Sequence, residues 1–141
     1  KIESAIELLD KAISSSNDIS GAIFLPKGPE VRGCVMNIEN TFKLNDLKHG
    51  GSLTAIRIEG SKNSIDQRIK NLIYELKIVN LKISILDTYQ SEIFWNKVKS
   101  LEFFSLSKNS ILRIVIPPSE CVNLVYQFSN KFKSILICPY N

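Results

Sequence analysis

Leu53-Thr54-Ala55-Ile56-Arg57-Ile58-Glu59-Gly60, running on into Ser64-Ile65-Asp66-Gln67-Arg68-Ile69, decides how this chain is read. The first part is rich in β-branched and aliphatic residues and predicts a strand over 52–59 that Gly60 closes. Successive side chains on a strand point to opposite faces, so Thr54, Ile56 and Ile58 share one face and Ala55, Arg57 and Glu59 the other. In the second part Ser64 and Gln67 have the spacing of a capping box, in which each side chain satisfies the other's backbone N–H. That spacing predicts a helix opening at Ser64. Ile65, Ile69, Leu72, Ile73 and Leu76 line its apolar stripe, with Arg68, Lys70 and Glu75 off it.

Working outward, Ile2, Ala5, Ile6, Leu9 and Ile13 fall at helical spacing and predict a helix over 2–13, ended by the polar run from Ser14 to Asp18. A strand is predicted over 19–25, stopped by Pro26. In the segment 27–51 Gly28, Pro29, Gly33, Gly50 and Gly51 mark turns, and 31–36 reads as an edge strand or a helix start. Beyond the central helix come a strand over 81–86 and a helix over 87–99 with Ile93, Phe94, Val98 and Leu101 inward. A strand over 111–116 follows, halted by Pro117-Pro118, then a helix from Pro118 or Ser119 to Phe128, and a last strand over 134–138. Two βαβ halves in this order are the pattern of a ferredoxin-like split sheet. The expectation is an α+β domain over 1–141 with two layers: a mainly antiparallel sheet with helices on one face.

Composition sets outer bounds. The 141 residues suffice for one domain with its own core. A hydrophobic fraction of 44% and a charged fraction of 23% are those of a globular protein. No apolar run approaches the roughly 20 residues of a membrane span. The net charge of +4 is spread along the chain, with none of the dense Lys/Arg blocks of a nucleic-acid arm. The sheet face bearing Arg57 offers no aromatic from its central strands, which argues against an RNA-binding sheet. Cys34, Cys121 and Cys138 are far apart and form no metal or redox pair; Cys121 and Cys138 read as small core residues of a reducing compartment.

Catalytic sets are absent from the pattern. His49 is the sole histidine and stands before Gly50-Gly51 as a turn residue. No phosphate loop, dinucleotide fingerprint or metal-ligand spacing occurs, so catalytic and metal residues are read as none. The loop from Gly60 to Ser64 could meet a phosphate through its backbone N–H groups, but reads first as a capped helix start. Phe94-Trp95 and Phe103-Phe104 read as core, or as a contact surface for another domain. What remains is Arg57 and Arg113, each in the middle of a predicted strand. If the strands 52–59 and 111–116 are central neighbours, Arg57, Glu59 and Arg113 gather on the open face of the sheet. Guanidinium groups there suit a carboxylate or phosphate. The same three residues also suit a salt-bridge network in which Glu59 balances an arginine.

Three stretches in this order and spacing, Ala55 to Gly60 with Arg68, Phe94-Trp95-Asn96-Lys97-Val98, and Leu112-Arg113-Ile114-Val115-Ile116-Pro117-Pro118, resemble a known flavoprotein family. The likeness is to the C-terminal half of the FAD-binding subunit of bacterial glycolate oxidase that works beside a sister flavin subunit. Ile19-Ser20-Gly21-Ala22 matches the small-residue strand of that family, and Leu112 stands where the family has tryptophan. The chain begins at Lys1, which fits a piece of a longer polypeptide. The resemblance implies a cap or substrate domain of the vanillyl-alcohol-oxidase-like superfamily. It further implies an upstream domain that binds FAD, a sister flavin subunit and an iron–sulfur subunit as partners, oxidation of glycolate, and a cytoplasmic location, membrane-associated only through partner subunits. The fragment itself would hold no cofactor and be inactive alone. Arg57, Arg113 and Glu59 are the substrate-binding candidates. The competing reading is a non-catalytic ferredoxin-like regulatory or assembly module.

Overall fold

Ile19–Leu25 forms β1 and pairs antiparallel with β2, Leu53–Ile58. The computed structural model describes residues 2–25, 52–77, 83–101 and 113–128. Four helices accompany the two strands among these: α1 (Ile2–Ile13), α2 (Lys62–Glu75), α3 (Thr88–Lys99) and α4 (Pro118–Phe128). The composition is α+β, as expected. The segments 26–51, 78–82, 102–112 and 129–141, with Cys34, His49, Phe103, Phe104, Leu112 and Cys138, lie outside the described residues. So does the expected strand 134–138. The described parts of the strands expected over 81–86 and 111–116 lie outside the two-stranded sheet.

The sheet separates two apolar clusters. On one face Ala22, Phe24, Ile56 and Ile58 meet Ile2, Ala5, Leu9 and Ala12 of α1, Leu72 and Leu76 of α2, and Cys121 and Val125 of α4. On the other face Ile23, Leu25, Leu53 and Ala55 meet Phe94, Trp95 and Val98 of α3, with Leu86 and Leu101 beside them. Helices therefore cover both faces, where one-sided cover was expected. The cause lies in β1. Ala22, Ile23, Phe24 and Leu25 are consecutive and all buried, so the strand is apolar on both faces and needs two layers of cover. Each large side chain buried this way contributes about 1.5–3 kcal/mol relative to exposure.

Between Ile19 and Gly21 the ladder slips by one residue: Gly21 faces Arg57, yet Ile19 faces Ile58. The extra residue is Ser20, whose hydroxyl donates to the Arg57 carbonyl at 3.3 Å. The bulge turns Ile19 onto the face of α1, where it joins the core that strict alternation would have denied it.

Helix boundaries depart from the expectation at one place. α2 starts at Lys62, with Ser61 as N-cap making no side-chain cap bond, so the box expected at Ser64 and Gln67 does not form. Gln67 donates to Asn71 along the helix instead. A capping box does form at α3. There the Gln90 N–H donates to Asp87 Oδ1 at 2.8 Å, and the Asp87 N–H donates to Gln90 Oε1 at 3.2 Å. On α3 Phe94 and Val98 are buried and Leu101 half-buried, but Ile93 is exposed. No helix among the described residues is long and apolar enough to cross a membrane.

Candidate functional site

Two arginines lie close to the end of β2, and the fold uses them in opposite ways. Arg68, on the second turn of α2, is largely buried at 17% side-chain exposure. Its Nε donates to the Asn17 carbonyl at 2.8 Å, Nη1 to the Glu59 carbonyl at 2.8 Å, and Nη2 to the Asp18 carbonyl at 2.5 Å. It also lies 3.4 Å from the Asp18 carboxylate. One planar fork thus ties the start of β1 and the end of β2 to the first turns of α2. The tie holds the first turns of α2 against the strand ends. Gly60 completes the turn at φ +149°, and a Cβ there would approach Arg68 Nη1 to 3.2 Å. Asn17, 1% exposed, is satisfied on its other side by donating to Glu75 Oε2 at 2.8 Å and to Ser15 Oγ at 3.2 Å.

Arg57 is held differently. It lies on the α3 side of the sheet, at the rim of that layer, opposite Gly21 in the ladder. Its Cζ stands 6.0 Å from the Trp95 ring centroid, within range of cation–π attraction. Nη2 pairs with Glu59 Oε1 at 2.7 Å, the two side chains sharing a face as residues i and i+2 of an extended segment do. The Arg57 side chain is 32% exposed and that of Glu59 57%.

Trp95 is the sole tryptophan of the chain. It meets Phe94 edge-on, with centroids 5.3 Å apart and an interplanar angle of 82°. Its six-membered ring lies against Gly21. A Cβ on Gly21 would fall 3.2 Å from Trp95 Cη2, 3.3 Å from Cζ3 and 3.3 Å from Arg57 Cβ. A side chain here would press on the Trp95 ring, which would have to give by a few tenths of an ångström. The expected open face is covered: Ile23, Leu25, Leu53 and Ala55 pack against α3, and Arg57 and Glu59 lie at its rim.

The structure thus brings Arg57 and Glu59 together and adds Trp95 and Gly21 to them. Arg113 is exposed at the head of the segment leading into α4, and the described contacts of Arg57 and Glu59 do not include it. Sequence reasoning missed the structural role of Arg68. Its place two turns before the end of an amphipathic helix, off the apolar stripe, gave no signal of the carbonyls it would meet. Nor did it foresee Trp95 against Gly21, although a small residue amid the apolar run of β1 is the pattern that accepts a large ring.

Away from this rim, burial raises the Cys121 thiol above its ordinary range, as fits its place in the α1 cluster. At the surface, the hydrogen bond and charge of Lys11 lower the Glu7 carboxyl. No group of His, Cys, Asp and Glu among the described residues is placed to hold a metal ion. No protein-family model, curated protein or solved structure matches this chain.

Proposed function

We propose that this chain is a cap or substrate domain of a flavin-dependent 2-hydroxy-acid oxidase of the glycolate oxidase type, and that Arg57 contacts the substrate carboxylate. One observation supports the reading. Residues that carry the family resemblance, Gly21 of β1, Arg57 and Glu59 at the end of β2, and Trp95 of α3, are far apart in sequence and meet at one rim. In this reading FAD belongs to an upstream domain and supplies the hydride chemistry. The chain supplies a cation, an aromatic wall and a surface that the flavin domain and the partner subunits meet. The proposal extends to Arg113, the second cation of the family motif, as a further contact for the same carboxylate.

The test is dye reduction by glycolate in the intact flavoprotein complex. Arg57→Met should lower kcat/KM about 10- to 100-fold, the worth of a charged hydrogen bond of roughly 1.5–3 kcal/mol. Unchanged kinetics per folded molecule would remove Arg57 from the substrate site. A similar loss in Arg113→Met supports that second contact, and a loss confined to Arg57→Met removes it. The purified chain itself should be colourless, and a stoichiometric bound flavin would overturn the division of labour.

A second reading draws on the Arg57–Glu59 pair, which already neutralises the cation. The chain would then be a non-catalytic regulatory or assembly module whose rim is a domain contact. It predicts that Arg57→Met weakens subunit association and leaves turnover in the assembled complex intact.

A further inference from the structure

We propose that Arg57 is a self-occupied carboxylate seat: the Glu59 side chain fills the position that an incoming small monocarboxylate takes, and binding displaces it. The inference rests on the reading of this rim as an anion site and adds to it a competing group within the chain. Glu59 changes role, from a substrate contact to an internal competitor.

The two arginines spend their donors differently. A guanidinium has five N–H groups in a fixed fork. Arg68 commits three of its nitrogens to three backbone carbonyls and lies largely buried, so it has no role for a ligand. Arg57 has one described polar partner, Glu59 Oε1, reached through Nη2 alone. A carboxylate engages such a fork best through two parallel bonds, and a single contact leaves the second unmade. The cation is also placed in advance, because Trp95 flanks the guanidinium and the Arg57 Cβ lies with the Trp95 ring beside Gly21.

The two partners differ in how firmly they are held. Arg57 lies against an aromatic wall, whereas the Glu59 carboxylate is mostly exposed and has the Arg57 pair as its described contact. Exposed ion pairs hold weakly and are readily exchanged. The Glu59 backbone, by contrast, is pinned by Arg68 Nη1 on its carbonyl. A side-chain rotation at Glu59 therefore empties the seat with no movement of the strand. The incoming group is a carboxylate, with Trp95 flanking the seat on one side.

The sole tryptophan reports on the seat directly. The 141-residue chain is titrated with sodium acetate and with sodium glycolate at constant ionic strength, sodium chloride serving as reference, and Trp95 fluorescence is recorded. Wild type should show weak saturable binding of both carboxylates. Glu59→Gln keeps the length of the side chain, removes the competing charge and should bind about three- to fivefold more tightly. Arg57→Met should show no saturation. Near-ultraviolet circular dichroism verifies the fold of each variant, and Glu59→Ala replaces Glu59→Gln if the latter is perturbed. Equal or weaker binding in the Glu59 variants overturns the proposal, as does a response to acetate no different from that to chloride. Tighter binding in Glu59→Gln, in a chain whose intact complex fails to oxidise 2-hydroxy acids, would remove the flavin-enzyme reading and leave the seat. Arg57-dependent turnover with unchanged affinity in Glu59→Gln would do the reverse.

Discussion

Replacing Arg68 with methionine separates structure from function at this rim. The substitution keeps the aliphatic stem packed on α2 and removes the donors to the Asn17, Asp18 and Glu59 carbonyls. The three losses are not equal. Asp18 and Glu59 are exposed residues, so water can take over their carbonyls. Asn17 is 1% exposed, and its carbonyl would stay buried with the donor gone. A hydrogen bond from a charged donor contributes about 1.5–3 kcal/mol, and an orphaned buried acceptor costs about 1–3 kcal/mol. One such loss with fractions of two others gives roughly 2–4 kcal/mol. Urea unfolding followed by Trp95 fluorescence should show this as a shift in midpoint with little change in slope. Arg68→Lys should recover less than half, because one ammonium cannot span three carbonyls set around a planar fork. Arg57→Met, which breaks a partly exposed pair, should cost under about 1 kcal/mol in the same assay. A loss below about 0.5 kcal/mol for Arg68→Met would refute the tie between the strands and α2.

Gly21→Ala forces a methyl to 3.2 Å from the Trp95 ring and should destabilise by about 1–3 kcal/mol, with a change in the Trp95 emission maximum; neutral stability would show that the ring does not rest on β1. Cys121, with its thiol raised by burial, should react with iodoacetamide more slowly than a free cysteine in a Cys34→Ser/Cys138→Ser background. Because the neutral thiol is favoured in the folded state, its contribution is complete below the ordinary thiol value and is lost as pH rises through the raised one. Stability should therefore fall at alkaline pH, less so in Cys121→Ala.

The helical stripes and the alternation of β2 were legible because local periodicity states them. Ile2, Ala5 and Leu9 are buried as their spacing demands, and Ile56 and Ile58 face α1 and α2 while Arg57 faces away. What was not legible depended on contacts distant in sequence. The run Ala22-Ile23-Phe24-Leu25 reads as a strand, but only its pairing and cover show that both faces are core. The capping box at Ser64 does not form because α2 begins two residues earlier, at Lys62, and the partners of Arg68 at Asn17 and Asp18 lie beyond any local window. The pairing of Arg57 with Glu59 followed from their two-residue spacing, whereas their neighbour Trp95 comes from another element.

The burial of β1 on two faces also has a consequence for biosynthesis. β1 leaves the ribosome before all of its cover except α1. Its mate β2, the α3 layer and α4 follow much later, and α4 closes on α1 through the Tyr126 hydroxyl and Glu3 Oε1, partners 123 positions apart. Until then an uncharged apolar strand with free edges stands exposed, the kind of segment that seeks other chains. Closing such distant contacts is slow, because the entropy of the long loop is lost before the packing that offsets it is gained. The early helix α1 can shelter only one side of β1, so the strand stays sticky from its own synthesis until β2, α3 and α4 have followed.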